Sequence, residues 1–127
     1  MSKAKPTSKY PRKIKIGPYN YTVELFPDAT TTDHGACVYN HQTIFLSANQ
    51  HAERAGDTLL HEVLHAVWDV AGFDVMTDLN EESVVRGMAT MLSAVLKENP
   101  QLAKFILEPN KMWIPDYEDD ALEEASE

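Results

Sequence analysis

The chain has 127 residues, of which 43% are apolar and 24% are charged. This composition is typical of one globular domain with its own core and excludes two ordinary domains. The formal net charge of −9 makes nucleic acid an unfavourable partner, because an acidic surface repels phosphate groups. A single cysteine, Cys37, cannot form an internal disulfide, and no apolar run has signal-peptide or membrane-span length. We therefore expect a cytoplasmic location and no membrane partner.

The two ends of the chain carry opposite charge. Six basic side chains and no acid fall within residues 1–15, whereas residues 116–127 carry seven acids and no base. Blocks of like charge tend to stay solvated and disordered. The sequence predicts a flexible basic lead-in over residues 1–11, a single domain over 12–115 and an acidic disordered tail over 116–127.

The first half of the domain has strand-like patterns. Ile14 and Ile16 alternate with lysines, which predicts a short strand. Residues 19–26 are rich in aromatic and β-branched side chains and predict a second strand. After a loop over 27–35, residues 36–39 and 43–46 flank a turn and predict a hairpin.

The second half has helical patterns. Ser47 followed by Gln50 fits a capping box, and Asn49 is an alternative cap. A helix is expected from about residue 50 to residue 71, with Gly72 at its C-terminal end and a possible break near Asp57. Asn80 is expected to cap a second long helix that ends before Pro100.

The second long helix has two adjacent apolar stripes, which predict a broad buried face. The stripes are Val84, Met88, Met91, Val95 and Val85, Ala89, Leu92, Leu96. A short third helix is expected over residues 102–107. The apolar residues 112–114 would pack the end of the domain against its body. Strands first and helices second predict an α+β domain.

The motif with the clearest chemistry is His61-Glu62-Val63-Leu64-His65, an HExxH sequence inside the first predicted helix. Residues four apart share one helix face, so the two imidazoles can reach the same ion, as zinc requires. Glu62 lies beside that position, where a carboxylate can take a proton from a water activated by the metal. The flanking apolar residues place the motif in a buried helix, where a histidine pair is costly without a partner.

A catalytic zinc usually has three protein ligands and one open position. Glu82 falls in line with one apolar stripe of the second helix, and Glu81 is also geometrically possible, so the residues alone leave these two open. Either acid would also favour the helix N-terminus electrostatically. The full set of candidates is Asp69, Asp74, Asp78, Glu81, Glu82 and the other histidines.

Two stretches resemble the ImmA/IrrE family of zinc peptidases, in particular its small phage-encoded members. They run from Asp33-His34-Gly35 through Leu46, and from Thr58 through the HExxH motif to Ala66. The resemblance covers about residues 13–100. It implies a small antiparallel sheet of three or four strands packed on the HExxH helix and a second long helix, in a gluzincin-like fold.

The resemblance also implies which glutamate is the third ligand. In the family this glutamate lies seven residues before the alanine of a helical Phe-Ala-type step, which Met88-Ala89 matches, so the ligand falls at Glu82. The family's usual Ala-Asn pair is replaced here by Val85 and Arg86.

Residues outside the motif have simpler expected roles. His34, His41 and His51 are expected at the surface, and Cys37 is expected to be a small buried apolar residue. Tyr39 or His41 could alternatively face the cleft and stabilise an oxyanion.

The sequence thus predicts a zinc metalloendopeptidase with His61, His65 and Glu82 as metal ligands and Glu62 as general base. The edge of the hairpin would hold an extended peptide or protein substrate by strand addition. The alternative is a regulatory or interaction protein, phage-encoded, in which zinc is structural or catalysis is vestigial. Another divalent metal could also suit two histidines and a carboxylate, although HExxH favours zinc.

Overall fold

The structure is a computed structural model and describes residues 10–26 and 34–113. The expected lead-in up to residue 9, most of the expected loop after the second strand and the expected acidic tail lie outside the described residues. The elements in chain order are β1 (Lys13–Ile16), β2 (Tyr19–Phe26), β3 (Gly35–Val38), β4 (Thr43–Ser47), α1 (Ala52–Val70), α2 (Glu81–Glu98), α3 (Pro100–Leu107) and α4 (Pro109–Met112), with single 3-10 turns at Tyr39–His41 and Phe73–Val75. The predicted α+β class is confirmed.

The four described strands form one mixed sheet in the order β1-β2-β4-β3. β1 pairs antiparallel with β2, and β3 pairs antiparallel with β4 as the predicted hairpin. β2 and β4 are parallel, with Val23 opposite Ile44, so the expectation of a wholly antiparallel sheet was wrong. The hairpin joins the sheet through its second strand because β4 carries the fully buried Ile44 and Leu46. This insertion leaves β3 at one edge of the sheet.

Helix α1 covers one face of the sheet. Its fully buried side chains recur at helical spacing and form its apolar face. They are Ala55, Leu59, Val63, Ala66 and Val67. The helix is continuous through Gly56, so the expected break does not occur.

The ends of α1 were predicted with mixed success. Gly72 takes the left-handed conformation (φ 81°) that the sequence predicted for it. The predicted capping box was wrong, because His51 is the N-cap. Ser47 instead ends β4, and its Oγ accepts a hydrogen bond from the Asn49 N–H at 3.2 Å.

Helix α2 begins at the predicted cap, where the Asn80 side chain accepts a hydrogen bond from the Ser83 N–H at 2.9 Å. Its buried face is narrower than predicted. Val95 is buried and Met91 half-buried, whereas Ala89 is exposed and Val85 is 56% exposed. The stripe that carries Glu82 is therefore not core-facing in its first two turns.

Two residues of the predicted apolar group 112–114 pack back on the body, with Met112 and Trp113 buried, whereas Ile114 lies outside the described residues. Tyr10 is also buried, and its ring meets that of Trp113 at a centroid distance of 5.9 Å. The folded domain therefore includes Tyr10 and Pro11, just before the predicted start at residue 12. Within the described ranges, no helix combines the length and the apolar character that a bilayer crossing requires.

Candidate metal centre

The HExxH side chains come together in the middle of α1. Each of His61, Glu62 and His65 offers one ligand atom, and these three atoms lie within 4.8 Å of one another. The two imidazole rings have a centroid distance of 4.9 Å. Both histidines are exposed, so the expected burial of the histidine pair was wrong, whereas Glu62 is only 6% exposed. The group can hold a metal ion at a surface that a second molecule can reach.

Glu62 lies against the first residue of the edge strand. A Cβ atom on Gly35 would lie 2.7 Å from Thr58 Cγ2 and 3.3 Å from Glu62 Cγ. Because glycine has no side chain, β3 can approach α1 this closely. The start of the edge strand therefore lies directly beside the Glu62 side chain.

Gln50 fixes the position of this strand relative to the helix. Its Nε2 donates to the carbonyls of His34, at 3.1 Å, and Ser47, at 2.8 Å. Its Oε1 accepts from the Thr58 hydroxyl at 3.1 Å, and its carbonyl accepts from the Trp113 indole at 2.9 Å. The sequence indicated Gln50 only as a capping residue. Its actual role, linking the residue before β3, the end of β4 and α1, depends on contacts that local sequence patterns do not encode.

Cys37 is half-buried on β3. Burial raises the pKa of its thiol to about 12, and the negative charges of Glu62 and then Asp69 add to the effect. Thiolate is the form that binds metal and acts as a nucleophile. Cys37 therefore packs against the core as an un-ionised thiol, although it is half-buried and not fully buried as predicted.

The donor set fits a divalent transition metal. Neutral imidazole nitrogen and carboxylate oxygen are both zinc ligands, and zinc–nitrogen bonds of about 2.0–2.1 Å place two donors of a tetrahedral site about 3.3 Å apart. Small side-chain rotations bring donors that lie within 4.8 Å to such a separation. Two exposed histidines leave the outer side of an ion at this position open.

The structure does not bring the expected third ligand into the group. Among the described residues, the cluster of ligand atoms contains His61, Glu62 and His65, without Glu81 or Glu82. Both glutamates are exposed in the first turn of α2. The Glu82 carboxylate is 75% exposed and accepts a hydrogen bond from Arg86 at 3.2 Å.

The remaining histidines, His34, His41 and His51, are exposed as predicted. Tyr39, which follows β3, is 39% exposed and lines a cavity with Asp69. The resemblance to the ImmA/IrrE family rests on the motif residues quoted above. Comparison of the chain with protein-family models, with curated proteins and with solved structures found no match.

Proposed function

We propose that this protein is a zinc metallopeptidase of the HExxH type, as its resemblance to the ImmA/IrrE family implies. The observation that carries the proposal is the placement of His61, His65 and the buried Glu62 on one helix turn beside an edge strand. This arrangement combines two metal donors, a base and a backbone that can pair with a peptide.

Each side chain has a distinct task. His61 and His65 would hold the ion, and Glu82 is the proposed third ligand. A zinc ion there supplies Lewis acidity and lowers the pKa of a water molecule. The Glu62 carboxylate accepts a proton from that water and then delivers it to the leaving amine. Burial of Glu62 beside β3 restricts the freedom of this side chain, which favours a proton acceptor held in place.

The edge strand supports a peptide substrate. Among the described strands, β3 pairs only with β4, so its other side can accept hydrogen bonds from an extended chain. Gly35, the first residue of β3, lies against the Glu62 side chain. A peptide paired with β3 would therefore pass the motif with its backbone near the proposed base.

The composition of the site favours a catalytic over a structural zinc. A structural zinc has four protein ligands and a closed shell. The cluster among the described residues has two histidines and Glu62, the proposed base, without a cysteine, so it does not supply four ligands. The exposure of both histidines supports an open coordination position.

Metal content provides the first test. Protein purified without added metal should contain about one zinc per chain by elemental analysis. His61→Ala should lose this zinc, whereas His51→Ala should keep it, because His51 is an exposed histidine outside the cluster, next to the same helix. Folded wild-type protein that stays metal-free after zinc addition would contradict the proposal.

Catalysis provides the second test. Glu62→Gln keeps the size of the side chain but removes the proton acceptor, so it should retain zinc and lose about 10²–10⁴ in cleavage rate. The assay incubates both proteins with an extended peptide library and identifies products by mass spectrometry. Identical cleavage by wild type and Glu62→Gln would assign the activity to a contaminant. Absence of cleavage by zinc-loaded wild type would favour an interaction protein.

A further inference from the structure

A polar cavity of about 350 Å³ lies at the C-terminal end of α1. The end of the helix forms one side of it, and the start of β2 and the turn between β3 and β4 form the other. The polar residues that line it are Tyr19, Tyr21, Tyr39, Asn40, Gln42 and Asp69. The HExxH chemistry described above uses none of them.

The cavity lies on the same side of α1 as Glu62. Asp69 follows Glu62 by seven residues, which is nearly two full helical turns, so both side chains share one face. At 1.5 Å per residue, the two positions are about 10.5 Å apart along the helix axis. An extended peptide rises about 3.3 Å per residue. A substrate passing Glu62 would thus reach the cavity about three residues further along.

Strand β3 extends from the position of Glu62 to the cavity. Gly35, at the start of β3, lies against Glu62, and Tyr39, just after the end of β3, lines the cavity. A peptide paired along β3 would therefore run from the proposed base towards the cavity.

The described lining of the cavity carries one negative charge and no cation. Asp69 is the only charged residue among those that line it. Within residues 10–26 and 34–113, Asp69 has no ion-pair partner. It also lies in the last turn of α1, which has no basic residue, and an acid near a helix C-terminus is electrostatically unfavourable. A cation in the cavity would pair with Asp69 and would offset the repulsion between this acid and the helix C-terminus.

The other lining groups suit the same occupant. Tyrosine and amide oxygens can accept hydrogen bonds from an ammonium or guanidinium group. Aromatic rings can also attract a cation. Tyr19 and Tyr39 are 48% and 39% exposed and therefore accessible to such an occupant, whereas Tyr21 is buried.

We propose that this cavity receives the lysine or arginine side chain of an extended peptide, so that Asp69 selects substrates with a basic residue two to four positions from the cleaved bond. The inference rests on the proposed peptidase function, because it takes the substrate to be a peptide paired with β3. Asp69 acts here as a specificity residue and takes no part in the chemistry.

Binding tests the proposal without requiring cleavage. The probes are fluorescent decapeptides of neutral residues, each with one lysine, arginine, norleucine or glutamate moved through all ten positions. Zinc-loaded, full-length Glu62→Gln protein is titrated with each probe and binding is read by anisotropy. Lysine or arginine at one position should bind roughly tenfold more tightly than norleucine, the gain typical of a charge-assisted hydrogen bond.

Substitution of the cavity acid should remove this preference. Asp69→Asn should bind the lysine and norleucine probes equally, and Asp69→Lys should favour the glutamate probe. Asp57→Asn is the matched control, because it removes the same charge from an exposed position on the same helix outside the cavity. The zinc content of each variant is measured as well. This shows whether a lost preference for lysine is caused by loss of the metal.

The outcomes separate this inference from the proposed function. Cleavage by wild type without regard to basic residues would overturn the role of the cavity and leave the peptidase intact. Equal binding of lysine and norleucine probes to protein with Asp69 intact, or binding of no probe, would also overturn it. Absence of cleavage together with an Asp69-dependent lysine preference would support the cavity and contradict the peptidase.

Discussion

Gly35 of β3 lies so close to Thr58 of α1 that a Cβ atom on the glycine would be 2.7 Å from Thr58 Cγ2. The same atom would lie 2.8 Å from the Phe45 carbonyl oxygen, which belongs to the backbone and cannot turn away. The close approach of sheet edge and helix at the motif therefore depends on the absence of a side chain at residue 35.

Gly35→Ala should destabilise the protein by about 1–3 kcal/mol, because the added methyl group forces β3 away from α1. Urea unfolding followed by circular dichroism measures the change. Gly56→Ala is the control. A Cβ there would have its nearest contact at 3.4 Å, from the Phe105 carbonyl, and alanine is favoured in a helix interior by about 0.5–1 kcal/mol. Equal stability of Gly35→Ala and wild type would contradict the tight contact.

Cys37 should react slowly with alkylating reagents in the folded protein. Burial raises its pKa to about 12, and only the thiolate is nucleophilic. At pH 8 we expect iodoacetamide to modify the native thiol at least about tenfold more slowly than the same thiol in urea. Mass spectrometry over time gives both rates. Similar rates would show that Cys37 is accessible and ionisable in the native state.

Tyr21 should make stability fall at alkaline pH. Burial, reinforced by Cys37 and Asp69, raises its pKa from 10.0 to about 12, so the folded state retains a proton that the unfolded chain releases. The corresponding stability is fully present below pH 10 and is lost as the pH rises to about 12.

Tyr21→Phe removes this ionisable group, so its free energy of unfolding should decline less between pH 9 and pH 11.5 than that of wild type. Urea unfolding at several pH values in this range measures the slope. Tyr19→Phe is the control, because Tyr19 is 48% exposed. A Tyr21→Phe slope identical to that of wild type would show that another group governs alkaline unfolding.

Local signals in the sequence were sufficient for most elements. Alternating isoleucines gave β1, the Asn80 cap gave the start of α2, and Gly72 gave the left-handed residue after α1. The HExxH spacing alone placed two histidines on one face, because helix geometry fixes where residues four apart point.

Contacts between residues that are distant in sequence could not be predicted from such local patterns. Either strand of the predicted hairpin could have joined β2, and the burial of Ile44 and Leu46 on β4 became evident only in the folded sheet. The apolar stripe through Val85 has helical spacing, yet no described element covers its first two turns. The sequence indicated Asp69 only as a candidate metal ligand, because the tyrosines that line the cavity with it are distant in sequence.

The identity of the proposed third metal ligand can be tested by substitution in the first turn of α2. The family resemblance assigns it to Glu82, which in the structure pairs with Arg86 on the exposed face of α2. Glu82→Gln should weaken zinc binding by roughly tenfold or more, whereas the adjacent Glu81→Gln should change it less than about threefold. A competition titration against a chromophoric zinc chelator compares the two variants directly.

Arg86→Gln adds a second test of the same assignment. This change removes the partner of the Glu82 carboxylate without touching a proposed ligand, so zinc affinity should stay the same or increase. Weaker binding in Arg86→Gln would mean that the ion pair itself supports the site. A larger loss of zinc affinity in Glu81→Gln than in Glu82→Gln would show that Glu81 is the third ligand. Unchanged affinity in both glutamate variants would place the third ligand outside the start of α2.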